Sequence, residues 1–78
     1  MAQNTLLSTG GVYTLVQNQV YALPARSVNI FAQGSGFEIS NDASTWQAVT
    51  LGTNKEFITA APYLRSTASG SIVSVRLA

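Results

Sequence analysis

Residues 37–51 read FEISNDASTWQAVTL, and this stretch decides the fold class. Phe37 and Ile39 alternate with Glu38 and Ser40, the period-two pattern of a strand with one buried face. Asn41-Asp42-Ala43-Ser44 supplies turn chemistry, because Asn and Asp side chains hydrogen-bond nearby backbone and tolerate left-handed geometry. Trp46, the only tryptophan, opens a second strand over 46–51. It is the largest apolar side chain in a chain short of core, so it is expected to be buried against Phe37, Ile39 or the closing strand.

Outward from this hairpin the same texture repeats. Residues 12–16 (VYTLV), 20–23 (VYAL), 27–32 (SVNIFA), 56–60 (EFITA), 63–67 (YLRST) and 71–77 (SIVSVRL) are β-branched and aromatic-rich, as strands are. Pro24 stops the second of these, since proline cannot donate to a ladder. Gln17-Asn18-Gln19, Ala25-Arg26, Gln33-Gly34-Ser35-Gly36, Gly52-Thr53-Asn54-Lys55 and Ala68-Ser69-Gly70 make the connections. Eight short strands follow, with turn signals about every 8–10 residues and no sustained helical spacing. That pattern predicts an all-β fold, a small antiparallel β-sandwich or barrel. Residues 1–11, polar and ending in Gly-Gly, read as a flexible N-terminal arm, with Leu6 and Leu7 as its anchors on a neighbouring surface. Residues 12–78 read as one β domain.

Charged residues orient the strands, because unpaired charges are almost never buried. Glu38 outward sends Phe37 and Ile39 inward. Glu56 outward sends Phe57 and Thr59 inward and leaves Ile58 outside. Arg65 outward keeps Tyr63 with it and turns Leu64 in. Arg76 outward puts Ile72 on the outer face, and Phe31 shares a face with Ser27 and Asn29. Phe31, Ile58, Tyr63 and Ile72 are therefore candidate partner contacts, as are Leu6 and Leu7.

The chain has 78 residues, no Cys and no His, four Lys or Arg against three Asp or Glu, and only 9% charged residues. A domain of this size buries only roughly 60–65% of the surface its unfolded chain exposes. Disulfides, metals or oligomerisation usually compensate. Without Cys or His the first two are largely closed, which leaves self-association or a partner. An ordered, weakly charged surface suits a subunit whose faces are covered by neighbours. Residues 1–4 lack the basic start of a signal peptide, and no apolar run approaches the roughly 18 residues of a membrane span. A membrane is therefore not an expected partner.

Chemistry is sparse. Ser-His and Cys-His triads and ordinary zinc sites are excluded by composition. The carboxylates are Glu38, Asp42 and Glu56. A glycosidase needs two of them facing each other across a substrate, and solvated strand positions are the simpler reading of Glu38 and Glu56. Asp42 with Asn41 is thin ligation for calcium, which takes six to eight oxygens, so both read as turn formers. Gly34-Ser35-Gly36 lacks the Lys-Ser/Thr pair of a phosphate loop. Arg26, Arg65 and Arg76 are dispersed, against the basic patch that nucleic-acid binding needs. Tyr13, Tyr21, Tyr63 and Trp46 are the residues from which an aromatic sugar platform would be built, and core packing explains Trp46 more simply. No enzyme activity and no cofactor are expected.

The segment FEISNDASTWQAVTL, followed by Ala61-Pro62-Tyr63-Leu64-Arg65-Ser66-Thr67 and a β-branched closing strand, resembles a pattern of small β-sandwich virion proteins of tailed bacteriophages. There a v-S-N-D-G-x-x-W-x-x-v hairpin precedes a (Y/F)-(I/L)-R strand. The likeness spans residues 20–77, with Ala43 standing where the pattern often carries Gly. Galactose-binding-like, discoidin-type sandwiches carry a similar hairpin, but 78 residues are too few for that full fold. The resemblance implies a virion structural protein made in the host cytoplasm: a capsid decoration (cement) protein on the major capsid protein, or a small head–tail or tail component. Its expected partners are the major capsid protein or other virion subunits, and further copies of itself. A carbohydrate- or receptor-binding module is the alternative.

Overall fold

The computed structural model describes residues 5–24, 26–49 and 55–78. The end of the expected 46–51 strand, most of the 52–55 turn, Ala25 and the first four residues of the arm lie outside them. Nine strands are formed among the described residues: β1 (Thr5–Leu6), β2 (Val12–Thr14), β3 (Tyr21–Ala22), β4 (Val28–Gln33), β5 (Phe37–Ser40), β6 (Gln47–Ala48), β7 (Lys55–Thr59), β8 (Tyr63–Ser66) and β9 (Ile72–Leu77). They make a five-stranded sheet, β1-β3-β8-β5-β6, and a four-stranded sheet, β2-β9-β4-β7. Every pairing is antiparallel except β1 with β3. The protein is a small all-β sandwich, and each of the eight predicted strands has a counterpart among the described residues, the one expected over 46–51 only at Gln47–Ala48.

Side chains from both sheets meet in one core. Tyr21, Leu23, Phe37 and Leu64 come from the five-stranded side, and Val28, Ile30, Ala32, Val73 and Val75 from the four-stranded side. Val28, Ile30 and Ala32 alternate inward along all of β4, opposite in phase to the outer Asn29 and Phe31. Tyr21 is buried whole, with its hydroxyl accepting the Val16 N–H at 2.9 Å. That satisfies the one polar atom a buried tyrosine brings with it.

Residues 5–11 differ from the loose arm expected of them. Leu7 is 0% exposed, within the core, and its N–H donates to Ala22 O at 2.8 Å. The chain then crosses to the other sheet, where Gly10 N–H meets Val75 O at 2.7 Å and Val75 N–H meets Gly11 O at 3.0 Å. Leu7 is thus an internal anchor and not a partner contact, because a small core gains more from one fully buried leucine than from a free terminus. Its neighbour Leu6 stays exposed.

The organising turn is built by two side chains. Asp42 Oδ1 accepts the Ser44 and Thr45 N–H groups at 2.8 and 2.9 Å and the Ser40 hydroxyl at 3.0 Å. Ser40 Oγ in turn accepts the Ala43 N–H at 2.9 Å. These donors, Thr45 N–H first, then Ser44 N–H and the Ser40 hydroxyl, hold the Asp42 carboxyl below its ordinary value of 3.8. Ala43 sits at φ 63°, the left-handed region that costs a residue with a Cβ roughly 1–2 kcal/mol. Ala43→Gly is therefore expected to stabilise the protein by roughly 0.5–1 kcal/mol, after glycine's own chain-entropy loss. Denaturant melts check this, and an unchanged or lower midpoint would contradict it.

Candidate interaction surface

Residues directly opposite in an antiparallel ladder share a face of the sheet. On the four-stranded sheet the outer rows are Thr14, Ile72, Gln33; then Val12, Ser74, Phe31, Glu56; then Arg76, Asn29, Ile58. Three of the predicted outer residues, Phe31, Ile58 and Ile72, are thereby brought onto one face. Phe31 is central, with Ile58 and Ile72 at its diagonals, a spacing within reach of long side chains. Ile58 is 68% exposed, while Phe31 and Ile72 are half-buried by their neighbours. Val12, 69% exposed, extends the face on the far edge strand. The run VYTLV carries no charge to show which of its residues point outward, so Val12 was not legible as a contact.

Charge on this face sits at its margin. Glu56 Oε2 accepts Asn29 Nδ2 at 2.9 Å, and Arg76 lies across from Asn29. Asn29 Oδ1 is buried and has no hydrogen-bond partner among the described residues. The apolar side chains enclose two polar residues, Ser74 and Asn29, on the inner strands beside Phe31, and are bordered by Thr14, Gln33, Glu56 and Arg76, so that charge is confined to the rim, as in a protein–protein contact.

The other candidates lie elsewhere. Tyr63 is on the outer face of the five-stranded sheet, opposite Ala22 and Ser40. Leu6 is on the edge strand β1 of that sheet. Leu7 is in the core.

Trp46 corrects the sequence reading. It is half-buried and is not part of the core cluster. The Arg65 guanidinium lies 4.3 Å from the centre of its ring, and Arg65 Nε donates to Glu38 Oε1 at 2.7 Å. Glu38 and Arg65 are direct cross-strand partners on the outer face. A β6 of only two residues, Gln47–Ala48, leaves Trp46 before the strand, free to fold over Arg65. The indole gains cation–π attraction there and shields the ion pair from water. Trp46→Ala is accordingly expected to cost about 1–2 kcal/mol, not the roughly 3–5 kcal/mol of a core aromatic. Denaturant melts measure the difference, and a loss in the core range would contradict the surface placement.

The chemistry weighed from sequence does not converge. Glu38 and Glu56 lie on the outer faces of different sheets, so no substrate can sit between them. Asp42 borders a recess of about 130 Å³ with Ile39, Ser40, Asn41, Thr45, Gln47 and Ala61, but three donors already occupy its Oδ1. No group of three or more potential metal ligands occurs among the described residues. Of the four aromatics, Tyr21 is buried, Tyr13 packs against the core with its hydroxyl accepting Ser8 N–H, and Arg65 covers one face of Trp46. Tyr63, the fourth, shares with Arg65 the outer face over which Trp46 folds, so Tyr13 and Tyr21 are not part of any platform on that side. Comparisons with protein-family models, curated proteins and solved structures find no significant match.

Proposed function

We propose that this chain is a bacteriophage virion structural protein of the decoration type, which docks on the major capsid protein and bridges neighbouring capsomers. The observation that carries this reading is the outer face of the four-stranded sheet, where Val12, Phe31, Ile58 and Ile72 collect with charge only at the rim. The phage-like hairpin and the scarcity of reactive side chains agree with it. The work is mechanical. Each copy adds buried area between capsomers, and a symmetric lattice multiplies modest per-site energies by avidity.

Because the centre of the face is apolar, attachment is expected to change little between about 0.05 and 0.5 M salt, although the screening length falls severalfold over that range. The test mixes purified protein with particles lacking it and images occupancy at both salt levels. Occupancy on the outer capsid surface at both is the expected result. Absence from the particle overturns the assignment. Density only at the head–tail junction or tail moves it to the other virion sites, and density only beside host glycans moves it to receptor binding.

A further inference from the structure

The two sheets have four edge strands, and they are not alike. β1 and β6 have two residues each and β2 has three, whereas β7 has five. Short edges are one of the means by which sheets avoid pairing with other chains. β7 departs from this. Its register with β4 is continuous over all five residues, without a bulge, and it contains no proline. No strand of the described residues pairs with its other side. A groove of about 320 Å³ lies at this edge, lined by Asn29, Glu56, Phe57 and Ile58. Phe57 is only partly buried, although it packs against the core.

We propose that β7 pairs antiparallel with β7 of a second copy about a two-fold axis at Phe57, joining the two four-stranded sheets into one of eight strands. The occupant follows from self-complementarity. A two-fold contact must match a residue i to a residue j and j to i. An axis at Phe57 uses the whole strand, placing Lys55 opposite Thr59, Glu56 opposite Ile58, and Phe57 opposite its twin. The two Phe57 rings meet on the inner side and cover what each core leaves exposed. Sliding the axis to Glu56 would put two carboxylates directly opposite each other, which disfavours that register. Pairing keeps outer faces outer, so the Phe31–Ile58 surfaces of the two copies become continuous. The dimer holds whether or not the chain is a virion protein, because no feature of β7 used here depends on that reading.

The test is analytical ultracentrifugation of the full chain over a wide concentration range, with Ile58→Glu and Ile58→Lys beside it. Ile58 is exposed, so neither change disturbs the core, and far-UV circular dichroism checks that both fold. In the pairing, Ile58→Glu places two Glu–Glu contacts across the new ladder, while Ile58→Lys places two Lys–Glu contacts there. The expected result is a concentration-dependent dimer, weakened by roughly tenfold or more in Ile58→Glu relative to Ile58→Lys. Net charge alone predicts the opposite order, since Ile58→Lys makes the chain more positive. A monomer at every concentration, a closed trimer or larger ring, or equal effects of the two variants would overturn the proposal.

Discussion

Replacing Leu7 with alanine is expected to destabilise the protein by about 3–5 kcal/mol. That approaches the whole stability of a domain this small, roughly 3–5 kcal/mol, so the variant should be largely unfolded at room temperature. The reason is geometric. Leu7 is fully buried between the sheets, and hydrogen bonds at its own N–H and at Gly10 and Gly11 hold the segment in place. The surroundings cannot close over the missing side chain without breaking the β1–β3 pairing. Leu7→Met conserves volume and should cost less than about 1.5 kcal/mol, which separates cavity formation from any sensitivity of the terminus. Circular dichroism melts of both variants give the comparison. A near-native melt for Leu7→Ala would return residues 5–11 to the status of a loose arm.

Gly34→Ala is expected to cost about 2–4 kcal/mol. Gly34 has φ 124°, and a Cβ there would stand 2.7 Å from Ser71 Oγ and 3.0 Å from Ser71 Cα. The serine has nowhere to go. Its hydroxyl shares a 2.9 Å hydrogen bond with Ser66 Oγ and lies 3.2 Å from Ser35 O, and both serines are buried. The added methyl must therefore push the backbone entering β9 or break a buried hydroxyl network. Gly70→Ala is the control. It has φ 77° but open space around the added carbon, so it should lose only about 1–2 kcal/mol for the left-handed backbone. Equal losses at the two positions would show that the close approach to Ser71 does not matter.

Alternation and turn residues made the strands legible, because a sandwich with one buried face per sheet imposes period two on every strand that supports the core. Val28, Ile30 and Ala32 show this, as do Val73 and Val75. Charged residues set the phase of β5, β7, β8 and β9, which is why Ile58 and Ile72 were found. Where no charge marked the phase, at Val12, the outward residue was not visible. Two errors share another cause. Hydrophobicity alone placed Trp46 in the core and Leu7 on a partner. A short β6 and a neighbouring guanidinium gave Trp46 a better site outside, while a space between the sheets gave Leu7 one inside. Both depend on contacts far apart in sequence. So does the gathering of Phe31, Ile58 and Ile72 on one face, while Tyr63 went to the other.

The claim that the outer face of the four-stranded sheet attaches the protein to the particle is tested most directly by comparing two variants on particles lacking the protein. Val12→Asp puts a charge at an exposed position of that face, away from β7, and Tyr63→Asp puts one on the outer face of the other sheet. Val12→Asp is expected to lose most of its occupancy, while Tyr63→Asp binds as the unmodified chain does. Full occupancy by Val12→Asp together with loss of binding by Tyr63→Asp would contradict it.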